Sequence, residues 1–143
     1  MIEGVIVTDL NIISLDEGDV LHCMKKSDSG FEKYGEAYFS EVKPGAIKAW
    51  KRHNKMTLNL VVPVGEIKFV IYDDRLNSKT NGDFFEIILS RENYKRLTVQ
   101  PGLWMAFQGI GNNLSMLLNI ANIEHDFSEA DRKNINEIKY GWD

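Results

Sequence analysis

Between Pro44 and Gly65 the chain reads PGAIKAWKRHNKMTLNLVVPVG, and within this stretch a lysine and a histidine stand two residues apart, at Lys51 and His53. An imidazole exchanges protons near neutral pH. A lysine amine binds anions or, where burial lowers its pKa, acts as a base. A Pro-Gly turn opens the run and Gly65 closes it, so the residues between are predicted to form a pair of strands. Strict alternation then puts Ile47, Ala49, Lys51 and His53 on one face and Lys48, Trp50 and Arg52 on the other. If the first set faces inward, Lys51 and His53 enter the interior, where a buried cation requires a partner or a ligand. The opposite assignment is the alternative, and alternation separates the two only weakly. Lys51 can be read as a base, an anion binder or a rim lysine, and His53 as an acid-base group or a structural, hydrogen-bonded histidine.

The elements that position these residues read as all-β. Apolar runs are predicted as strands at Gly4 to Thr8, Val20 to Lys25, Glu36 to Val42, Thr57 to Val64, Glu66 to Tyr72, Phe84 to Leu89, Arg96 to Val99, Leu103 to Phe107 and Leu114 to Ile120. Pro63 marks an edge or a bulge. With the strand of the opening stretch this makes about nine or ten, the spacing of a small sandwich or barrel. From His125 the chain turns polar; HDFSEADRKN is predicted to hold a helical turn, and the aromatic residues of NEIKYGWD to pack on the outside.

The 143 residues, 43% hydrophobic and 27% charged, fit one globular domain spanning 1–143. A net charge of -4 and a pI near 5.4 argue against nucleic-acid or anionic-membrane partners, so an anionic ligand needs a local cationic cluster. Cys23 has no partner for an internal disulfide, no run is long enough to span a membrane, and MIEGVIVTDL lacks the basic and apolar regions of a signal peptide. These features predict a cytoplasmic protein. GxGxxG, GxxxxGK[ST], GxSxG, HExxH and CxxC are all absent.

Gly45, Lys51-Arg52-His53 and Gly65, followed by Pro101-Gly102-Leu103-Trp104-Met105, resemble the two signature regions of a cupin. Of the four metal-ligand positions, occupied here by Lys51, His53, Leu58 and Met105, only His53 keeps a ligand, so neither metal nor other cofactor is expected. Among cupins the chain is similar to the dTDP-4-dehydrorhamnose 3,5-epimerase group. The similarity is carried by DEGDV, YGEAYFSEV, PGAIKAWKRH, GEIKFVIYDDR, PGLWMAF, LLNIA and IKYGW, from about residue 4 to 142.

That resemblance implies a jelly-roll β-barrel with a short irregular or helical tail, usually homodimeric, acting on a nucleotide-linked 4-keto-deoxysugar in polysaccharide precursor synthesis. The implied chemistry is proton abstraction beside the ketone, with a base on one face of the sugar and an acid on the other. An ungapped match sets Lys51 at the family's base histidine, Lys48 at its arginine and His53 at its glutamine, and its tyrosine acid falls near Leu118. Asp126, Glu129 and Asp131 are candidates for the carboxylate that orients a histidine. Lys51, His53 and Tyr38 are therefore the expected catalytic residues, with Tyr72 as the other strand tyrosine. Lys48, Arg52, Asn59, Trp104, Met105, Gln108 and Asn119 are expected to bind substrate. The alternative reading is a non-catalytic cupin that binds a sugar nucleotide or glycan.

Overall fold

In Glu66–Tyr72 (EIKFVIY), Ile67, Phe69 and Ile71 are fully buried on one face, while Val70 and Tyr72 join a separate apolar cluster on the other. A strand apolar on both faces must be covered twice, and this one is an interior strand, paired on both edges within its sheet. The computed structural model describes residues 1–142. Its strands are β1 (Val5–Asp9), β2 (Ile12–Ile13), β3 (Val20–Leu21), β4 (Glu36–Val42), β5 (Ile47–His53), β6 (Leu58–Val64), β7 (Glu66–Tyr72), β8 (Phe84–Leu89), β9 (Lys95–Val99), β10 (Trp104–Ile110), β11 (Ser115–Ala121) and β12 (Ala130–Arg132). Two five-stranded antiparallel sheets, β1-β9-β6-β11-β4 and β12-β5-β10-β7-β8, pack face to face as a jelly roll, and β2-β3 forms a small ribbon. The main core lies between them, from Leu58, Leu60, Leu97 and Leu117 on one side to Ile67, Phe69, Ile71 and Leu89 on the other.

The expected strand over Val20 to Lys25 ends at Leu21. Beyond it the backbone is claimed by the fully buried Arg96, which donates to the carbonyls of Cys23 (2.7 Å) and Ser29 (2.9 Å) and pairs with Asp28 (3.2 Å). The loop is thereby held over the outer face of β9 and β6, where Asn59 donates to the Gly30 carbonyl at 3.1 Å. Pro63 stands where β6 has run past β9 and its register with β11 shifts, a place where a missing N–H costs little. Gly65 then turns the chain into β7 with φ +81°, and a Cβ there would stand 2.3 Å from Ser115 Oγ.

The tail holds the expected helical turn, a 3-10 turn at Phe127–Glu129, and also the short edge strand β12, which no sequence pattern announced. After a second 3-10 turn at Ile135–Glu137, Ile138, Tyr140 and Trp142 cover Trp50, Val70 and Trp104 on the outer face of the second sheet.

Candidate active site

The face of β5 is decided by a bulge. Its pairing with β10 runs from Met105↔Lys51 to Phe107↔Lys48, two steps along β10 against three along β5. The extra residue turns Lys48 to the face that carries Lys51 and His53, correcting the strict alternation that set Lys48 with Trp50 and Arg52. A cavity of about 640 Å³ opens between the two sheets, within the usual size range for small-molecule sites. Lys48, Lys51, His53, Met105, Phe107, Arg132 and Lys133 line it from the second sheet and its edge, and Tyr38, Ser40, Leu58, Leu60 and Leu117 from the first.

His53 sits at the end of β5, directly across the ladder from Ala130, so β12 delivers Glu129 to its side. The imidazole Nδ1 is hydrogen-bonded to Glu129 Oε1. The other carboxylate oxygen, Oε2, accepts the backbone N–H groups of Asn54 (3.1 Å), Lys55 (3.0 Å) and Met56 (3.3 Å). Burial works against the Glu129 charge, but the His53 bond and these amides outweigh it and hold the carboxyl below its ordinary 4.5. An ionised Glu129 can only accept, so Nδ1 carries the hydrogen and Nε2 the lone pair. Burial lowers the His53 pKa below 6.5, and the nearby Lys51 and Arg132 charges add to this against the opposing pull of Glu129. The ring is therefore neutral at pH 7, as a base must be.

Lys51 stands directly opposite Arg132 on the β5-β12 ladder, and both line the cavity. Burial first, and then Arg132, lowers the Lys51 pKa from 10.5, with Glu129 opposing. Like charges placed across from one another destabilise a sheet unless an anion lies between them. Lys48 takes a different part: its Nζ donates to Ser40 Oγ (3.2 Å) and the Glu41 carbonyl (2.7 Å), tying β5 to β4 across the seam between the sheets.

The other residues singled out from the sequence divide. Tyr38 and Met105 line the cavity, and Asn119 lies fully buried behind Tyr38, donating to its hydroxyl at 3.0 Å. Arg52 and Trp104 lie on the outer face of the second sheet. Arg52 pairs with Asp131 (2.7 Å) and Asp74 (3.5 Å) and stacks on Trp104 at 4.7 Å, while the Trp104 indole N–H donates to Asp74. Gln108 is on that face too, 3.5 Å from the Gly45 carbonyl. Asn59 lies on the outer face of the first sheet, accepting from Thr98 Oγ1 at 2.6 Å. Tyr72 is in the outer aromatic cluster, its ring 4.6 Å from that of Phe84. Arg132 and Lys133 went unread in the sequence because three residues of edge strand carry no periodicity. Glu129 was one of three candidate carboxylates, and only the fold selects it.

Among the described residues no group of three or more His, Cys, Asp or Glu side chains is placed to hold a metal ion. One imidazole already bonded to a carboxylate, ringed by cations, does not fit a divalent centre.

The fold and this cavity define a jelly-roll cupin with a carboxylate-oriented histidine. No protein-family model matches the chain. It is 37% identical to a dTDP sugar isomerase from Desulfovibrio desulfuricans G20, with a TM-score of 0.95, covering 99% of this chain and 92% of that one. It is 29% identical to the probable low-salt glycan biosynthesis epimerase Agl13 of Haloferax volcanii over 136 residues, which cover 94% of this chain and 87% of Agl13. With the spore coat polysaccharide biosynthesis protein SpsL of Bacillus subtilis it shares 27% identity over 146 residues, covering 99% of this chain and 97% of SpsL. The chain belongs to the cupin family of dTDP-sugar isomerases and epimerases.

Proposed function

We propose that the protein is an isomerase or epimerase of a nucleotide-linked 4-keto-deoxysugar that supplies polysaccharide synthesis, with His53 as the general base. The carrying observation is the His53–Glu129 pair inside a cavity whose wall also bears Lys51 and Arg132. His53 Nε2 removes the proton from the carbon beside the ketone. The C–H electron pair forms the C=C bond of an enolate, and its oxygen gains charge beside a lysine or an arginine. Reprotonation at carbon inverts or restores the centre, and at oxygen it begins a shift of the ketone. The remaining cation holds the diphosphate of the nucleotide. The relatives' names support both the dTDP-linked substrate class and the polysaccharide setting.

A homodimer and a cytoplasmic location belong to the same reading. Phe39 on β4 is 64% exposed and pairs with Leu118 on β11, giving the outer face of the first sheet an apolar strip that a second copy would cover. Among the described residues no helix is long and apolar enough to cross a membrane.

The test is incubation with dTDP-4-keto-6-deoxyglucose in deuterated water, followed by mass spectrometry and NMR. Deuterium is expected beside the ketone, and His53→Asn should slow its entry by about 10²- to 10⁴-fold. If dTDP-, UDP- and GDP-linked 4-keto sugars all fail to take up deuterium, the catalytic reading is wrong. Binding of dTDP without exchange would then point to the non-catalytic cupin.

A further inference from the structure

Glu129 and Arg132 reach the site by way of β12, a strand of three residues that lies at the edge of its sheet and pairs on one side only. Its C-terminal end is well held. Lys133 and Trp50 exchange backbone hydrogen bonds at 3.0 and 3.1 Å, and the tail beyond packs over Trp50. The end that carries Glu129 follows an exposed run, residues 124–128. Between the two ends stands Asp131, directly across the ladder from Arg52, whose Nε (3.3 Å) and Nη2 (2.7 Å) both donate to Asp131 Oδ2. Asn54 adds a longer bond to the same oxygen, at 3.4 Å. Arg52 is itself set in place: it stacks on Trp104 at 4.7 Å, its Nη1 is 3.5 Å from Asp74 Oδ1, and the Trp104 indole N–H donates to Asp74 Oδ2 at 2.9 Å. Asp74 is fixed in turn, because it follows the fully buried Asp73, whose carboxylate accepts from Arg75, Ser78 and Thr80. A connected array therefore runs on the outer face from the β7–β8 loop, through Arg52, to the strand that supplies Glu129.

We propose that Arg52 and Asp131 are positioning residues: their ion pair, outside the cavity, latches β12 to β5 and so keeps Glu129 on His53 Nδ1. The effect on turnover rests on the function proposed above, whereas the latch itself does not. With side chains 30% and 47% exposed, the pair adds little to global stability, so its loss leaves the fold standing and frees one end of a short strand. Once that end lifts, Nδ1 loses its acceptor. The ring then carries its hydrogen on Nε2 as readily as on Nδ1, and Nε2 is the nitrogen needed as base.

The experiment records NMR of the isotope-labelled ring nitrogens of His53 in the ligand-free full chain at neutral pH, for wild type, Asp131→Ala, Asp131→Glu and Arg52→Gln, with His53→Asn identifying the signals. Urea denaturation and kcat for the exchange reaction above accompany it. Wild type should hold its hydrogen on Nδ1. Asp131→Ala and Arg52→Gln should unfold near the wild-type urea midpoint, populate the Nε2–H form, and lower kcat by about 10-fold or more, short of the roughly 10⁴-fold that a wrong tautomer costs. Asp131→Glu restores a carboxylate and should return the Nδ1–H form. Salt at about 1 M screens the exposed pair and should move wild type toward the Asp131→Ala spectrum while leaving that variant unchanged, a result that needs no variant to fold. Nδ1–H and wild-type kcat in Asp131→Ala and Arg52→Gln overturn the proposal. Lowered stability and kcat with Nδ1–H retained overturn it too, since the pair is then only structural. A wild type without exchange overturns the proposed function instead, and the ring spectra still decide the latch.

Discussion

The Glu129 carboxylate has one oxygen on His53 and the other on three backbone N–H groups, and this division sets what a substitution there does. In Glu129→Gln the amides hold the remaining oxygen and leave the NH₂ facing Nδ1. The histidine must then carry its proton on Nε2, the nitrogen needed as base. A wrong tautomer of this kind costs on the order of 10⁴-fold in turnover, and exchange kinetics on the folded variant would show it. The pH profile follows from the directions of the shifts. His53 lies below its ordinary 6.5, so activity should rise with pH on a limb centred below 6.5 and plateau through neutrality. Lys51 lies below 10.5, so an alkaline limb below that value marks loss of its charge, and Lys51→Arg should displace this limb upward. The lowered pKa values of His53 and Glu129 also contribute stability that is present above 6.5 and 4.5 respectively. This contribution is lost as pH falls through the folded-state values, which an acid titration by circular dichroism would follow.

At the scale of elements, the site depends on two local devices, the bulge in β5 and the edge strand β12 that brings Glu129 and Arg132. Both rest on sheets whose connections are tight. Gly65 joins β6 to β7 at φ +81°, and an added Cβ would meet the Ser115 Cα at 2.7 Å as well as its Oγ. The Ser115 hydroxyl there accepts the Glu66 N–H at 3.0 Å and donates to the Glu66 carbonyl at 3.1 Å, so it cannot move aside without breaking that exchange. Gly65→Ala should therefore combine left-handed backbone strain with a clash and cost about 2 to 4 kcal/mol, read from urea denaturation. If the variant unfolds at the wild-type midpoint, this turn is looser than described.

For the whole molecule, the acidic net charge makes the cations that line the cavity informative. A chain at -4 has no general attraction for anions, yet Lys51 and Arg132 stand side by side within one cavity. A nucleotide diphosphate should stabilise the fold by linkage, about 2.7 kcal/mol at a concentration of 100 times its Kd. A thermal shift with dTDP is expected for wild type and should largely vanish in Lys51→Ala. A shift that survives in Lys51→Ala and Arg132→Ala alike would move the diphosphate elsewhere.

The strand skeleton was legible in the sequence because period-two burial is a local property. Glu36–Val42 and Glu66–Tyr72 read directly, and the resemblance around Pro44–Gly65 singled out Lys51 and His53, which line one cavity. Residue types there supplied an imidazole and cations but left open which face of the strand turned inward. What only the tertiary structure decided was orientation and partnership. One additional residue in β5 turns Lys48 inward, while Arg52 and Trp104 stay on the outer face. Of the three candidate carboxylates in the tail, the one preceding a three-residue strand meets His53. Asn119 finds Tyr38 across 81 positions of chain. A bulge depends on how two strands register against each other, and a carboxylate-histidine pair depends on an edge strand docking from 76 residues away, so neither leaves a periodic trace along the chain.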